Sequence, residues 1–262
     1  MTHRIPKSRW LHTSGFVAPL LLCVVLLTGT PMAQSADRYS PLGVECVVLL
    51  HGLWRSALSM KRVEWTLEDQ GYNVVNLSYP STSHDIETLA TMAVERGVTE
   101  CQSRDPVRIH FVTHSLGGIL LRQYLANHDV LGLHRVVMLA PPNQGSQMAD
   151  YFQGIALLQP FKPVPLNQLG TDALSIPRQL GPVSFELGII AGDLNLRGYL
   201  PGSPEGASYG TVSVAETIVP GMFDFLVMPV THTFIMWDSE VLRQVVQFLK
   251  NGRFTRLLET GA

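Results

Sequence analysis

The chain is short of charge. Asp, Glu, Lys and Arg make up 15% of its 262 residues, where an average soluble domain has about a quarter. With so few Lys and Arg there is no basic patch, and a formal net charge of −2 disfavours binding to nucleic acid or to an anionic membrane by electrostatics alone. Cysteine is also scarce, at three residues. No Cys/His spacing suggests zinc, no Asp-rich loop suggests calcium, and no cofactor is called for. The apolar run at residues 16–27 falls short of the about 20 residues that a membrane-spanning helix needs. Internal repeats and low-complexity tracts are absent. What is present is apolar: 46% hydrophobic residues and 17 prolines, enough for a substantial core in one domain of the larger α/β kind.

The first 36 residues read as a targeting segment. Arg4, Lys7 and Arg9 precede the apolar run, and Thr30-Pro31-Met32-Ala33-Gln34-Ser35-Ala36 follows it. This is the pattern of an export signal cleaved near Ser35 or Ala36. It makes the protein periplasmic or secreted; an uncleaved anchor in the membrane is the alternative. Cys23 follows Leu22, too large for the small residue that lipoprotein processing wants. Processing would remove three basic residues and no acidic ones, leaving 16 basic against 21 acidic side chains, a net −5. Two cysteines would remain, Cys46 and Cys101, and an even pair in an exported protein invites a disulfide; two buried free thiols are the other reading.

Residues 37–262 alternate strand and helix patterns. Near-continuous apolar runs at 44–50, 72–77, 107–113, 135–140, 185–191 and 225–230 match strands buried on both faces. Helical spacing marks 57–70, ended by Gly71; 85–97, ended by Gly97; 119–126; and 239–251, ended by Gly252. The order predicts an α/β fold, a mostly parallel sheet of about six strands flanked by helices, with chemistry at the carboxyl ends of the strands. Residues 143–182 break the pattern. Pro160, Pro163, Pro165 and Pro177 lie among Leu157, Leu158, Phe161 and Leu166 without a clean period. The segment reads as a lid-like excursion over the site, an apolar acyl-binding wall, with plain core packing as the competing reading.

The most informative stretch is Thr113-His114-Ser115-Leu116-Gly117. A strand at 109–112 runs into a helix at 119–126 within a few residues. The turning residue must then adopt strained backbone geometry that projects its side chain outward, and Gly117 lets helix and strand approach closely. This is the nucleophile elbow, with Thr113 in place of its first glycine and Ser115 as nucleophile.

Together with His51-Gly52-Leu53, Pro141-Pro142-Asn143-Gln144-Gly145-Ser146 and Thr231-His232-Thr233-Phe234, the elbow resembles the α/β-hydrolase family, particularly its small lipase-like and esterase-like members. The resemblance implies a serine hydrolase acting on small-molecule or lipid esters through an acyl-enzyme. His232 would be the base for Ser115, and the N–H groups of Leu53 and Leu116 the oxyanion donors. It also places Cys46 and Cys101 at the same end of adjacent strands, which favours the disulfide. A membrane surface would be met through a lipid substrate or an uncleaved N-terminal segment.

One position departs from the family pattern. The aspartate that usually precedes the Gly-x-Val stretch is Tyr209 here, and tyrosine cannot supply the carboxylate. Asp193, directly after the strand that normally carries the acid, is the first replacement and Glu205 the second; Glu216 and Asp224 lie further along. Three outcomes stay open: an ester hydrolase, a catalytically impaired hydrolase-fold binding module, and an acyltransferase using the same serine.

Overall fold

The computed structural model describes residues 44–155, 162–194 and 212–256. The N-terminal segment expected to be an export signal, part of the expected lid-like excursion, Glu205 and Tyr209 lie outside the described residues. In chain order the elements are β1 (Glu45–Leu50), α1 (Lys61–Asp69), β2 (Asn73–Leu77), α2 (Ile86–Ala90), α3 (Arg96–Gln102), β3 (Arg108–His114) and α4 (Leu116–Leu125). Then follow β4 (Leu133–Leu139), α5 (Gln147–Gly154), α6 (Ile176–Gln179), β5 (Glu186–Gly192), α7 (Val214–Thr217), β6 (Asp224–Met228) and α8 (Ser239–Asn251).

The six strands form one sheet in the order β2-β1-β3-β4-β5-β6, and every neighbouring pair is parallel. Parallel neighbours need crossovers, and these place helices on both faces. Strand side chains alternate between the two cores. Val48, Leu50, Ile109 and Phe111 join Ile86, Leu89, Ile119 and Leu120 on one face. Val47, Leu49, Val112 and Val137 join Val63, Leu67, Val245 and Phe248 on the other. Burial on both faces explains the uninterrupted apolar runs in the sequence.

Two expectations are revised. The helix expected to end at Gly97 continues through a wide π turn (Thr91–Glu95) into α3 and stops at Gln102. Gly97 is not a cap. A Cβ there would sit 2.5 Å from Val48 Cγ1, so the missing side chain lets α3 lie against β1. Within 143–182, the described residues are more regular than the proline content suggested, containing α5, a 3₁₀ turn (Val164–Asn167) and α6. Ala149, Leu166 and Leu169 enter the core, which supports the packing reading for this part of the segment.

Cys46 and Cys101 form a disulfide with a Cα–Cα separation of 5.8 Å. It ties the start of β1 to the end of α3, at the amino end of the sheet. No helix among the described residues is long and apolar enough to cross a membrane.

Candidate active site

β3 ends at His114 and α4 begins at Leu116, so a single residue makes the reversal. That residue, Ser115, has φ 53° and ψ −122°. Such a conformation costs about 1–3 kcal/mol in a non-glycine residue and persists only where the surroundings impose it. They do so here from two sides: Ser115 N–H donates to Leu139 O at 2.9 Å, and α4 lies so close to β1 that a Cβ on Gly117 would approach Leu50 O to 2.6 Å. Leu116 opens α4, so its N–H has no intrahelical acceptor and stands at the positive end of the helix. Trp54 and Ala140, which end the neighbouring strand exits, also have positive φ, 55° and 48°. Three of the four positive-φ non-glycine residues among those described thus lie at the carboxyl edge of the sheet; the fourth, Asp105, precedes β3 at the other edge.

The turn after β1 packs directly on the elbow. A Cβ on Gly52 would lie 2.8 Å from His114 Nδ1 and 3.1 Å from Ser115 Cβ, which places the next residue, Leu53, beside the nucleophile. The N–H of Arg55 donates to Gly52 O at 3.2 Å and closes the turn. His51 fixes its root. Its ring stacks on Tyr79 with centroids 3.9 Å apart and planes within 9°, while the Tyr79 hydroxyl donates to the His51 carbonyl. Because the Tyr79 N–H can only donate, His51 Nε2 accepts from it at 3.3 Å, and Nδ1–H donates to Gly52 O at 2.9 Å. Burial holds the imidazole pKa below its ordinary value and the Tyr79 pKa above, so both stay neutral.

His232 follows the exit of β6. His114 holds it in place: its Nε2–H donates to the His232 carbonyl at 3.1 Å, and the two rings lie 4.9 Å apart. That bond fixes His114 as the neutral Nε2–H tautomer, in keeping with a pKa driven well below normal, first by burial and then by the nearby His232. His232 is thereby tied to the residue that precedes Ser115. No hydrogen bond joins the Ser115 and His232 side chains. The pKa of His232 is pushed down to about 4, chiefly by burial and further by the positive charge of Arg55. Its Nδ1 is buried without a hydrogen-bond partner among the described residues.

That orphaned atom is where a triad acid would sit. Asp193 does follow β5, as expected of the acid, but it is exposed, and among the described residues only its N–H is engaged, with Met228 O at 3.1 Å. It is not joined to His232. Glu216 is occupied elsewhere, its two oxygens accepting from the N–H groups of Gln147 and Ser213. Asp224 accepts from Phe254 N–H at 2.8 Å and pairs with Arg256. Between β5 and β6 the carboxylate left is Glu205, on the segment outside the described residues. Among the described residues no cluster of three or more His, Cys, Asp or Glu is arranged to hold a metal ion.

Three contributors were not singled out from sequence. Tyr79 lies 28 residues from the turn it clamps, and only the Tyr-Pro pair after β2 hinted at a special exit. His114 lies inside the elbow, and its grip on His232, 118 residues away, is purely tertiary. Arg55 carried no signal beyond following His51-Gly52-Leu53.

No curated relative matches the chain in sequence. Its fold is similar to that of the lipase BlEst2 of Bacillus licheniformis in mature form, at 18% identity and a TM-score of 0.61 over 81% of this chain and 93% of that one. A metagenomic carboxyl esterase, MGS0156, is similar at 19% identity and a TM-score of 0.59, covering 75% of this chain and 66% of that one. The Pyrococcus furiosus esterase PF2001 is similar at 19% identity and a TM-score of 0.55, covering 79% and 81%. Residues 47–246 match the model of the alpha/beta hydrolase family, and this span holds the sheet from Val47 of β1 onward, the elbow and His232; the chain belongs to that family.

Proposed function

We propose that the protein is an exported serine hydrolase that cleaves carboxylic esters through an acyl-enzyme. The observation that carries this reading is Ser115, a lone residue in strained geometry between β3 and α4, packed against the Gly52 turn and next in sequence to His114, which is hydrogen-bonded to the His232 carbonyl. In the reaction Ser115 Oγ attacks the ester carbonyl carbon while His232 takes the hydroxyl proton. The carbonyl oxygen becomes an oxyanion held by the N–H groups of Leu53 and Leu116. Collapse of the adduct breaks the carbon–oxygen bond to the alcohol, which leaves with the proton from His232. Water then attacks the acyl carbon, His232 takes its proton, and the acid product leaves as that proton returns to Ser115.

Glu205 is the proposed third member, supported by elimination along the β5–β6 connection. The exposed aromatic rings of Trp54 and Phe234 beside the site favour an ester with an apolar portion, small or lipid. Export is supported by the pattern of residues 1–36 and by the disulfide, a bond favoured outside the cytosol. A second reading, a hydrolase fold kept for binding, is favoured by the unpartnered Nδ1 of His232 together with Tyr209 in the usual acid slot.

The test is covalent labelling by a serine-directed aryl phosphonate. Mass spectrometry should place the adduct on Ser115, and Ser115→Ala should lose both the adduct and p-nitrophenyl ester hydrolysis. Equal hydrolysis by wild type and Ser115→Ala would overturn the reading.

A further inference from the structure

The turn after β1 carries two side chains whose directions follow from its backbone. Trp54, forced to φ 55°, reaches across to Phe152 on α5, ring to edge at 6.0 Å. This makes one apolar wall. Arg55, the residue after this reversal, is exposed, and among the described residues its guanidinium forms neither an ion pair nor a hydrogen bond. Its position is nevertheless constrained, because its N–H is tied to Gly52 O and Gly52 is packed against Ser115.

The groups around Arg55 do not neutralise it. His51 and His114 are held as neutral tautomers by their hydrogen bonds, and Asp193 faces solvent. The charge of Arg55 is felt by both His114 and His232, which sets it within electrostatic reach of the reacting groups. A cation with no counter-ion among the described residues, on a backbone tied to the Gly52 turn and beside an apolar wall, suits an amphiphilic anion.

Resting on the ester-hydrolase reading and deepening it, we propose that Arg55 selects substrates by an anionic group, a carboxylate or a phosphate, carried near the scissile ester, with the apolar portion against Trp54 and Phe152. The guanidinium donates charge-assisted hydrogen bonds to that group, in paired geometry where a carboxylate or phosphate presents two oxygens. Burial is the main cause of the depressed His232 pKa and the positive charge of Arg55 the lesser one; binding would offset only that lesser part, and to that extent an anionic substrate makes its own base stronger. No bond changes at Arg55; it is a specificity residue, while Ser115 and His232 carry the chemistry.

The experiment compares matched esters. p-Nitrophenyl hydrogen glutarate is set against p-nitrophenyl pentanoate, and dihexanoyl phosphatidic acid against the phosphate-free dihexanoylglycerol, each with wild type, Arg55→Gln and Arg55→Lys. The ratio of kcat/KM for the anionic over the neutral member should fall roughly ten- to a hundred-fold in Arg55→Gln, the range for a charged hydrogen bond, and recover in part in Arg55→Lys. A fall in the glutarate pair alone identifies a carboxylate, and in the phospholipid pair alone a phosphate. Ratios that do not move in either pair would overturn the proposal. A binding arm keeps this separate from turnover: calorimetry on Ser115→Ala with hexyl phosphate and with hexanoate, against hexanol. Tighter binding of at least one anion, lost in Ser115→Ala/Arg55→Gln, supports the site even if the wild type hydrolyses nothing. Lack of any preference for the anions sinks it even if neutral esters are turned over.

Discussion

Replacing Glu205 by Gln should shift the pH at which the enzyme switches on. Without a partner at Nδ1, the His232 pKa is about 4, against an ordinary value of about 6.5, a gap equivalent to roughly 3 kcal/mol against the imidazolium. A carboxylate bonded to Nδ1 favours the protonated ring and should recover about 1–3 pH units, which puts the wild-type pKa near 5–7. The base works only when neutral, so kcat/KM rises with pH through this value. If Glu205 is the acid, the wild-type acid limb lies near 5–7, and in Glu205→Gln it moves down toward 4 as turnover falls. In the chymotrypsin-type protease the equivalent loss is ~10⁴ in turnover, which sets the upper bound. Asp193→Asn should move neither the limb nor the rate. The assay is initial-rate hydrolysis of a neutral aryl ester from pH 4 to 9, read within seconds of a pH jump. The short delay matters because His51 and His114 are also depressed by burial. Their neutral forms belong to the folded state while the unfolded chain takes up protons below about 6.5, so stability is lost as pH falls below that point. A Glu205→Gln enzyme with wild-type turnover and an unmoved limb would refute the assignment. A wild-type limb already near 4 would show that nothing occupies Nδ1 in solution.

Two further outcomes follow from the same geometry. Tyr79→Phe keeps the ring stack on His51 but leaves the His51 carbonyl without its donor. It should cost about 1–3 kcal/mol in urea-melt stability and lower kcat with little change in KM, by less than the 10²–10³ lost when an oxyanion donor is removed outright; a KM effect alone would count against a role in setting the turn. Opening the Cys46–Cys101 bond by Ala replacement at both positions frees a loop with a sequence separation of 55. The chain-entropy relation gives about 4 kcal/mol at 25 °C, measurable as a lower urea midpoint, and an unchanged midpoint on adding reductant to the wild type would contradict it.

Much of the fold was legible because the physics that builds it is local. Runs such as Val47-Val48-Leu49-Leu50 and Val136-Val137-Met138-Leu139 are buried on both faces of a parallel sheet and read as such from composition alone. The elbow was legible for a similar reason, since a strand and a helix separated by one serine leave the backbone few options, and Ser115 has the strained geometry that this demands. Gly97 misled because a glycine that ends a helix and one that admits a neighbouring strand look alike in one dimension. Tyr79 and Arg55 take their meaning from partners that only folding supplies. The acid was hidden for another reason: Tyr209 stands where the family pattern puts a carboxylate, and a substituted position does not announce its replacement.

The hydrogen bond from His114 to the carbonyl of His232 spans 118 residues of sequence in a single contact. It acts as a gauge block. The position of His232 beside the elbow is set by the His114 side chain and the His232 carbonyl, whatever the chain between them, which includes the excursion after β4 and the long β5–β6 connection. Those segments are free to lengthen, shorten or change their side chains without resetting the reacting geometry. Such a design lets what the enzyme accepts drift quickly while what it does to it stays fixed.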